Sequence, residues 1–481
     1  MDKASSIIET TFNITDITKP VRILGKLYDD DEQKDIEFEA FNETNCDIYV
    51  DGELIPFARE HTFKKEGEAK VSFCLKNDIN KTINCMKGMF SECLCLKTIV
   101  FPDTFDTSNV TDMSRLFSNC NILDSITFSE SFKTLNVKDM NHMFHRCFKL
   151  PCIKLPESFD TSNCTNVSTM FSSCNGVTSI TFSKKFNTAN VTKMNDMFYD
   201  CKSLKTISFP EGFVTPNVTS FSCMFYNCII LQSVSFPEGF TAKNATSLSS
   251  MFYNCACLES IKFPDTFNTS KVVNMGNMFC NCIALSSITF PKEFDTSNVK
   301  DMNRMFYKCQ VLPSIEFPEV FNTSNCKNMT HFFSQCLALV SVKFNATFDT
   351  SNVINFANFF YKCTSLPSIT LPETFNTSNA TDISYFFYDC TSLKSITFPS
   401  TFNTSKVVNM SDMFNNCSAL TSLTLPEAFD TSKAQVMSYM FSDCKSLTTL
   451  TLPSKFSTAK AVYADKMFQG CDSLNPVPKT D

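Results

Sequence analysis

The chain has 481 residues and a formal net charge of −7, and 43% of its residues are hydrophobic. It holds 51 Phe against no Trp and 9 Gly, so its core must be built from Phe, and no run approaches the roughly 18 apolar residues that a membrane span needs. Residues 1–78 carry 18 acids against 10 bases and the remainder 31 against 32, so the net charge shows no basic face of the kind nucleic-acid binders present.

The opening, MDKASSIIETTFNITD, has no basic region followed by an apolar one, which leaves signal-peptide secretion unsupported. Two hairpin signals follow: IYVDGELIPF places Asp51-Gly52 between short apolar runs, and HTFKKEGEAKVSFCL places Glu66-Gly67 between alternating ones. They predict a small β-rich cap domain over residues 1–78, since an uncapped repeat array exposes apolar surface and open strand edges. The run Asp29-Asp30-Asp31-Glu32 lacks the alternating ligands and central Gly of a calcium loop and reads as a solvated loop.

From about Lys81 a unit of 27 residues recurs, marked by F-x-x-C from Phe90/Cys93 to Phe468/Cys471 in fifteen copies. A fixed period of this size signals a solenoid, in which each unit buries its apolar face against its neighbours. Residues 79–475 are therefore expected to form one array and 476–481 a short tail, where Pro476 and Pro478 discourage further strand pairing.

Within a unit, Val110, Met113, Leu116, Phe117, Cys120 and Leu123 are spaced by threes and fours, the period of a helix or of tight helical turns. Asn109 with Asp112 reads as the cap and first-turn acid of that helix. Ile126 and Phe128 then alternate as in a strand, and Pro follows in most copies, ending the pairing. The expectation is an α/β repeat: one parallel sheet, with short helices or helical turns on the other face. Fifteen of the 25 Cys occupy one inward slot per unit, which predicts a buried thiol column rather than a disulfide framework. Reduced thiols suit an intracellular site.

The unit L-x-x-I-x-F-P-x-x-F-(D/N)-T-S-N-V-T-x-M-x-x-M-F-x-x-C resembles the BspA-like class of leucine-rich repeats, especially its DTSNVTDMSxMF-rich variant, over about residues 81–475. The resemblance implies a leucine-rich-repeat solenoid. For members in bacteria and parasitic protists it also implies surface display with adhesion to host or matrix proteins. It carries no catalytic residues to transfer.

Two faces could bind a partner. Outward strand positions hold Thr181, Ser208, Ser235 and Lys262, suited to broad polar contact or simply to a soluble sheet face. Two residues before the repeat Cys stand Tyr199, Tyr226, Tyr253, Tyr307, Tyr361 and Tyr388, either an exposed stripe of interface-prone rings or phenols lying flat over their neighbours. In His142-x-x-His145-x-Cys147 the two His point outward and the Cys inward, so no shared metal site is expected. No G-x-S-x-G, H-E-x-x-H or phosphate-binding glycine loop appears, and no enzyme activity or cofactor is expected. The function read from these features is a non-catalytic protein-binding repeat protein, an adhesin or surface antigen with a protein ligand, without nucleic-acid binding or membrane insertion. The alternative is an intracellular leucine-rich-repeat scaffold.

Overall fold

A computed structural model describes residues 6–25, 27–29, 34–36, 41–76 and 82–478, the side chains of 27–29 and 34–36 excepted. Asp30, Asp31 and Glu32 of the acidic run lie outside the described residues. The chain divides into two compact units, Met1–Thr241 and Ala242–Asp481.

The first unit opens with β1 (Ile7–Ile14), β2 (Val21–Arg22), β3 (Leu27–Asp29), β4 (Lys34–Ile36), β5 (Cys46–Val50), β6 (Glu53–Ile55), β7 (Glu60–His61) and β8 (Gly67–Leu75). Strict alternation buries Ile8, Thr10, Phe12 and Ile14 of β1 and Ala69, Val71, Phe73 and Leu75 of β8, so one sheet face packs and the other meets solvent. The Asp51-Gly52 hairpin joins β5 to β6 with Ile48 opposite Ile55. Both turn residues have positive φ, 48° and 87°, as a two-residue loop between twisted strands requires.

The second expected hairpin is not formed. β7 pairs with β2, and β8 spends its two edges on β1 and β5, so no edge remains for the segment before Gly67. β1 also pairs antiparallel with β9 (Leu96–Val100), the strand of the first coil, and β9 pairs in parallel with β10 (Ser125–Thr127) of the second. One six-stranded sheet, in the order β10-β9-β1-β8-β5-β6, thus runs from the N-terminal segment into the repeats.

The expected helices are absent: among the described residues none is helical. Arg115 and Asn119 have φ of 57° and 62°, and the same left-handed pair recurs in later coils, as at His142 and Arg146 or Tyr385 and Asp389. A right-handed helix cannot contain such residues at every fourth position. What the spacing of threes and fours encodes is a succession of tight turns. Backbone donors alternate between a local acceptor and the next coil: Arg115 N–H donates to Asn141 O (2.8 Å), Leu116 to Met113 (3.3 Å), Phe117 to Met143 (2.8 Å), Ser118 to Arg115 (3.0 Å) and Asn119 to His145 (2.8 Å). Every buried donor in the run is thereby satisfied without a helix.

The cap reading of Asn109 and Asp112 changes with it. The Asp112 carboxylate accepts from the Ser114 N–H (2.8 Å) and hydroxyl (2.6 Å), a local turn, and Asp112 bridges in parallel to Asp139. In the coils after the first, the equivalents of Asn109 reach back to the preceding coil; Asn136 donates to Ser108 O at 2.7 Å and Asn190 to Ser162 O at 2.7 Å. A buried hydroxyl column accompanies them: the Thr161 hydroxyl donates to Asn187 O (2.7 Å) and accepts from Asn187 N–H (2.8 Å).

Inside, rings stack coil on coil. Phe144, Phe171 and Phe198 lie 5.5 Å apart in each step with planes within 8° in the first unit, and Phe333, Phe360 and Phe387 repeat the arrangement at 5.4 and 5.5 Å in the second. The expected inward thiol column lies beside them, and it is more than apolar filling. The Cys201 thiol donates to Phe171 O at 3.1 Å and Cys390 to Phe360 O at 3.2 Å, each reaching the previous coil. Burial pushes Cys201 up to about 12, which keeps its sulfur protonated and able to donate.

Of the 25 free cysteines, 19 are buried, five half-buried and one, Cys85, exposed. Native protein treated with a thiol reagent should therefore be labelled quickly at no more than these six. Rapid modification of the remainder before unfolding would show that the column is open to solvent.

The coil strands do not form one continuous sheet. They couple in twos: Cys152–Lys154 with Ser179–Thr181 and Thr206–Ser208 with Ser233–Ser235, and in the second unit Ser260–Lys262 with Ser287–Thr289 and onward. The central side chain is buried in the first member of each pair (Ile153, Ile207, Ile261) and half-buried in the second (Ile180, Val234, Ile288). These three-residue strands hold the ladder only within a pair. The structural period is thus two units of sequence.

Candidate interaction surface

The outward strand residues are where the alternation places them. Thr181, Ser208, Ser235 and Lys262 are exposed, Ser208 opposite Ser235 in one strand pair and Thr181 opposite Lys154 in another. On the same face of the second unit Glu316 and Lys343 form an ion pair. This face offers hydroxyls and opposite charges in mixed order, with few groups that could anchor a partner.

The tyrosines lie along the turn edge of the coils, each just before a left-handed residue, as Tyr199 before Asp200 and Tyr388 before Asp389. All six are half-buried. Tyr199 stacks on Tyr226 at 4.7 Å and 5°, and Tyr361 on Tyr388 at 4.9 Å and 8°. Tyr385, absent from the recurrent Tyr slot, stands 5.5 Å from Tyr388 and 6.3 Å from Tyr361, which makes a three-ring cluster. Tyr307 accepts a hydrogen bond from Gln335 Nε2 at 3.0 Å, and Lys308 lies 5.4 Å over its ring.

Charge around these rings is graded. Burial, then the neighbouring Asp200, raises the Tyr199 phenol above its usual range; burial, then Tyr361 and Asp389, does the same at Tyr388. Asp412 beside Tyr385 is itself raised by burial, against the lowering effect of hydrogen bonds from Asn415 and Tyr385. Tyr199 and Tyr388 therefore stay neutral donors at any ordinary pH, able to offer both an apolar ring and a hydrogen bond.

The His-x-x-His-x-Cys group does not converge. Cys147 faces the core and donates to Phe117 O at 3.3 Å, whereas the His142 and His145 rings meet edge-on at 5.2 Å on the turn edge. Among the described residues no three His, Cys, Asp or Glu side chains come together. No helix among them is long and apolar enough to cross a membrane.

Tandem coils of turns and short parallel strands around stacked Phe and Cys columns define a leucine-rich-repeat solenoid. The chain belongs to the family described as "Mycoplasma protein of unknown function, DUF285", which matches in overlapping copies at residues 61–180, 154–261, 219–339 and 246–370. A second description, "BspA type Leucine rich repeat region", matches residues 357–478.

Among solved structures, the chain is similar to a leucine-rich repeat protein from Bacteroides ovatus (20% identity, 82% of this chain and 81% of that one, TM-score 0.49). It is also similar to the leucine-rich repeat protein of T. pallidum (19%, 45% and 78%, 0.26) and to one from Eubacterium ventriosum (15%, 79% and 91%, 0.34). No curated protein matches.

Proposed function

We propose that this chain is a non-catalytic repeat scaffold that binds another protein through the turn edge of its coils, in the role of an adhesin or surface antigen. The observation that carries this reading is the concentration of tyrosine at that edge, with Tyr199 stacked on Tyr226 and Tyr361, Tyr385 and Tyr388 clustered within 6.3 Å of one another. Tyr is enriched at binding hot spots because a rigid ring brings large contact area together with a hydrogen bond, at low entropic cost. The outward strand residues, Thr181, Ser208 and Ser235 in the first unit and Lys262 in the second, serve in this reading as a polar rim to the edge of their own unit. Residues 1–78 act as the cap, supported by the pairing of β1 along the edge of β9, which would otherwise be open.

Replacing Tyr199, Tyr226 and Tyr253 together by Ser should weaken binding to immobilised host or matrix proteins by about tenfold or more while the melting temperature changes little. Unchanged affinity rejects the tyrosine edge as the site. The second reading, an intracellular scaffold, is favoured by the 19 buried free thiols. Surface biotinylation of intact cells beside a cytosolic control separates the two.

A further inference from the structure

Beyond residue 78 the chain has three Arg and three His: Arg115, Arg146, Arg304, His142, His145 and His331. All six stand one, two or five residues before a repeat Cys, on the same turn edge, though those slots are only three of the 27 in each unit. In the first unit Arg115, His142, His145 and Arg146 come from consecutive coils; in the second, Arg304 lies near His331, whose ring meets edge-on, at 5.7 Å, the Tyr307 ring that Lys308 covers.

The three Arg are not used within the fold. Arg115, Arg146 and Arg304 are exposed, and among the described residues none of the three takes part in an ion pair or a side-chain hydrogen bond. The nearest acids in sequence are engaged elsewhere: Asp112 accepts from Ser114, Asp139 from Asn141 and Asn166, and Asp301 from Asn303. His142 Nδ1 meets Asn141 Oδ1 at 2.7 Å, but His145 Nδ1 is buried with no partner. Burial, then His142 and the Arg146 guanidinium, lower the His145 ring to about 4, and Arg115 acts in the same direction, so two free guanidinium groups from adjacent coils lie near one neutral imidazole.

We propose that this turn edge binds sulfate groups carried on an acidic polysaccharide, with Arg115, His142, His145 and Arg146 as one subsite and Arg304, Lys308 and His331 as another. The planar guanidinium fork matches two oxygens of a tetrahedral oxyanion, and adjacent imidazole N–H groups supply further donors. A membrane would require apolar side chains to enter it, and among the described residues no exposed large aliphatic occupies these slots.

The test uses the full chain, with heparin as the sulfated probe and hyaluronan as its unsulfated counterpart. The wild type should bind heparin saturably and hyaluronan at least about tenfold more weakly. The double variant Arg115→Gln/Arg146→Gln should lose about tenfold in heparin affinity, and adding Arg304→Gln should lose more, with circular dichroism and melting temperature unchanged. Equal affinity of wild type and variants for heparin, or no saturable binding, overturns the proposal. So does binding of phosphoinositide vesicles or duplex DNA in preference to heparin.

Discussion

Replacing Phe360 by Asp should open the second unit locally at the coils on either side. The Phe360 ring is fully buried, lies between Phe333 at 5.4 Å and Phe387 at 5.5 Å, and meets Phe359 at 4.8 Å. Truncation to Ala alone removes both stacks and leaves a cavity, at a cost of about 3–5 kcal/mol. A carboxylate in the same place adds the penalty of a buried charge with no cation near it. Because each coil is stabilised mainly by its two neighbours, the damage should stay close to its origin and not spread evenly. Hydrogen exchange is expected to lose protection in residues 333–414 while the distal coils of the unit keep theirs. Protection that falls uniformly across the unit, or does not fall, contradicts this account of the array.

The same locality explains which parts of the molecule could be read in advance. Phe and Cys columns were legible because they recur without a slip, and any stacked solution places them inward. The two-residue hairpin at Asp51-Gly52 was legible because its turn demands two left-handed residues and the sequence supplies residues that tolerate them.

The helix was misread for a physical reason. Apolar steps of three and four arise equally from consecutive tight turns, and what separates the two is backbone conformation at Arg115 and Asn119, where the side chains give only a weak hint. Asn or Asp at many of the equivalent positions was such a hint, since these residues accept positive φ more readily than most. The inter-coil bonds of Asn136 and Thr161 were hidden in the recurring Thr-Ser-Asn turn, which looks like ordinary loop chemistry until the neighbouring coil is in place.

The candidate surface was legible only by column. Sequence placed the six tyrosines on one edge, but could not show that Tyr199 and Tyr226 would cover each other, or that Tyr385 would join Tyr361 and Tyr388. Nor did the strand pattern reveal the alternation between coils. Ile153 and Ile180 occupy equivalent slots, yet only the first is buried, a difference that follows the strand pairing.

The second large effect is expected at Gly25, where the N-terminal segment meets the first coil. Its N–H donates to Met89 O at 2.7 Å, its carbonyl accepts from Arg59 Nη1 at 3.2 Å, and a Cβ built there would stand 1.9 Å from Gly88 O and 2.7 Å from Ser91 N. Both obstructing atoms are backbone, so no side chain can turn aside to make room. Gly25→Ala should therefore cost about 3 kcal/mol or more, the upper end of what overpacking usually costs, and should part the segment from the coil.

Two companions give the scale. Gly52→Ala meets no atom within 4 Å and pays only for its φ of 87°, roughly 1–2 kcal/mol. Arg22→Ala removes surface ion pairs to Glu60 and Glu92, worth at most about 1 kcal/mol. Chemical denaturation of the three variants should rank them Gly25, Gly52, Arg22. If Gly25→Ala is no worse than Gly52→Ala, the close backbone approach does not hold the two parts together, and β1 alone must bind the N-terminal segment to β9.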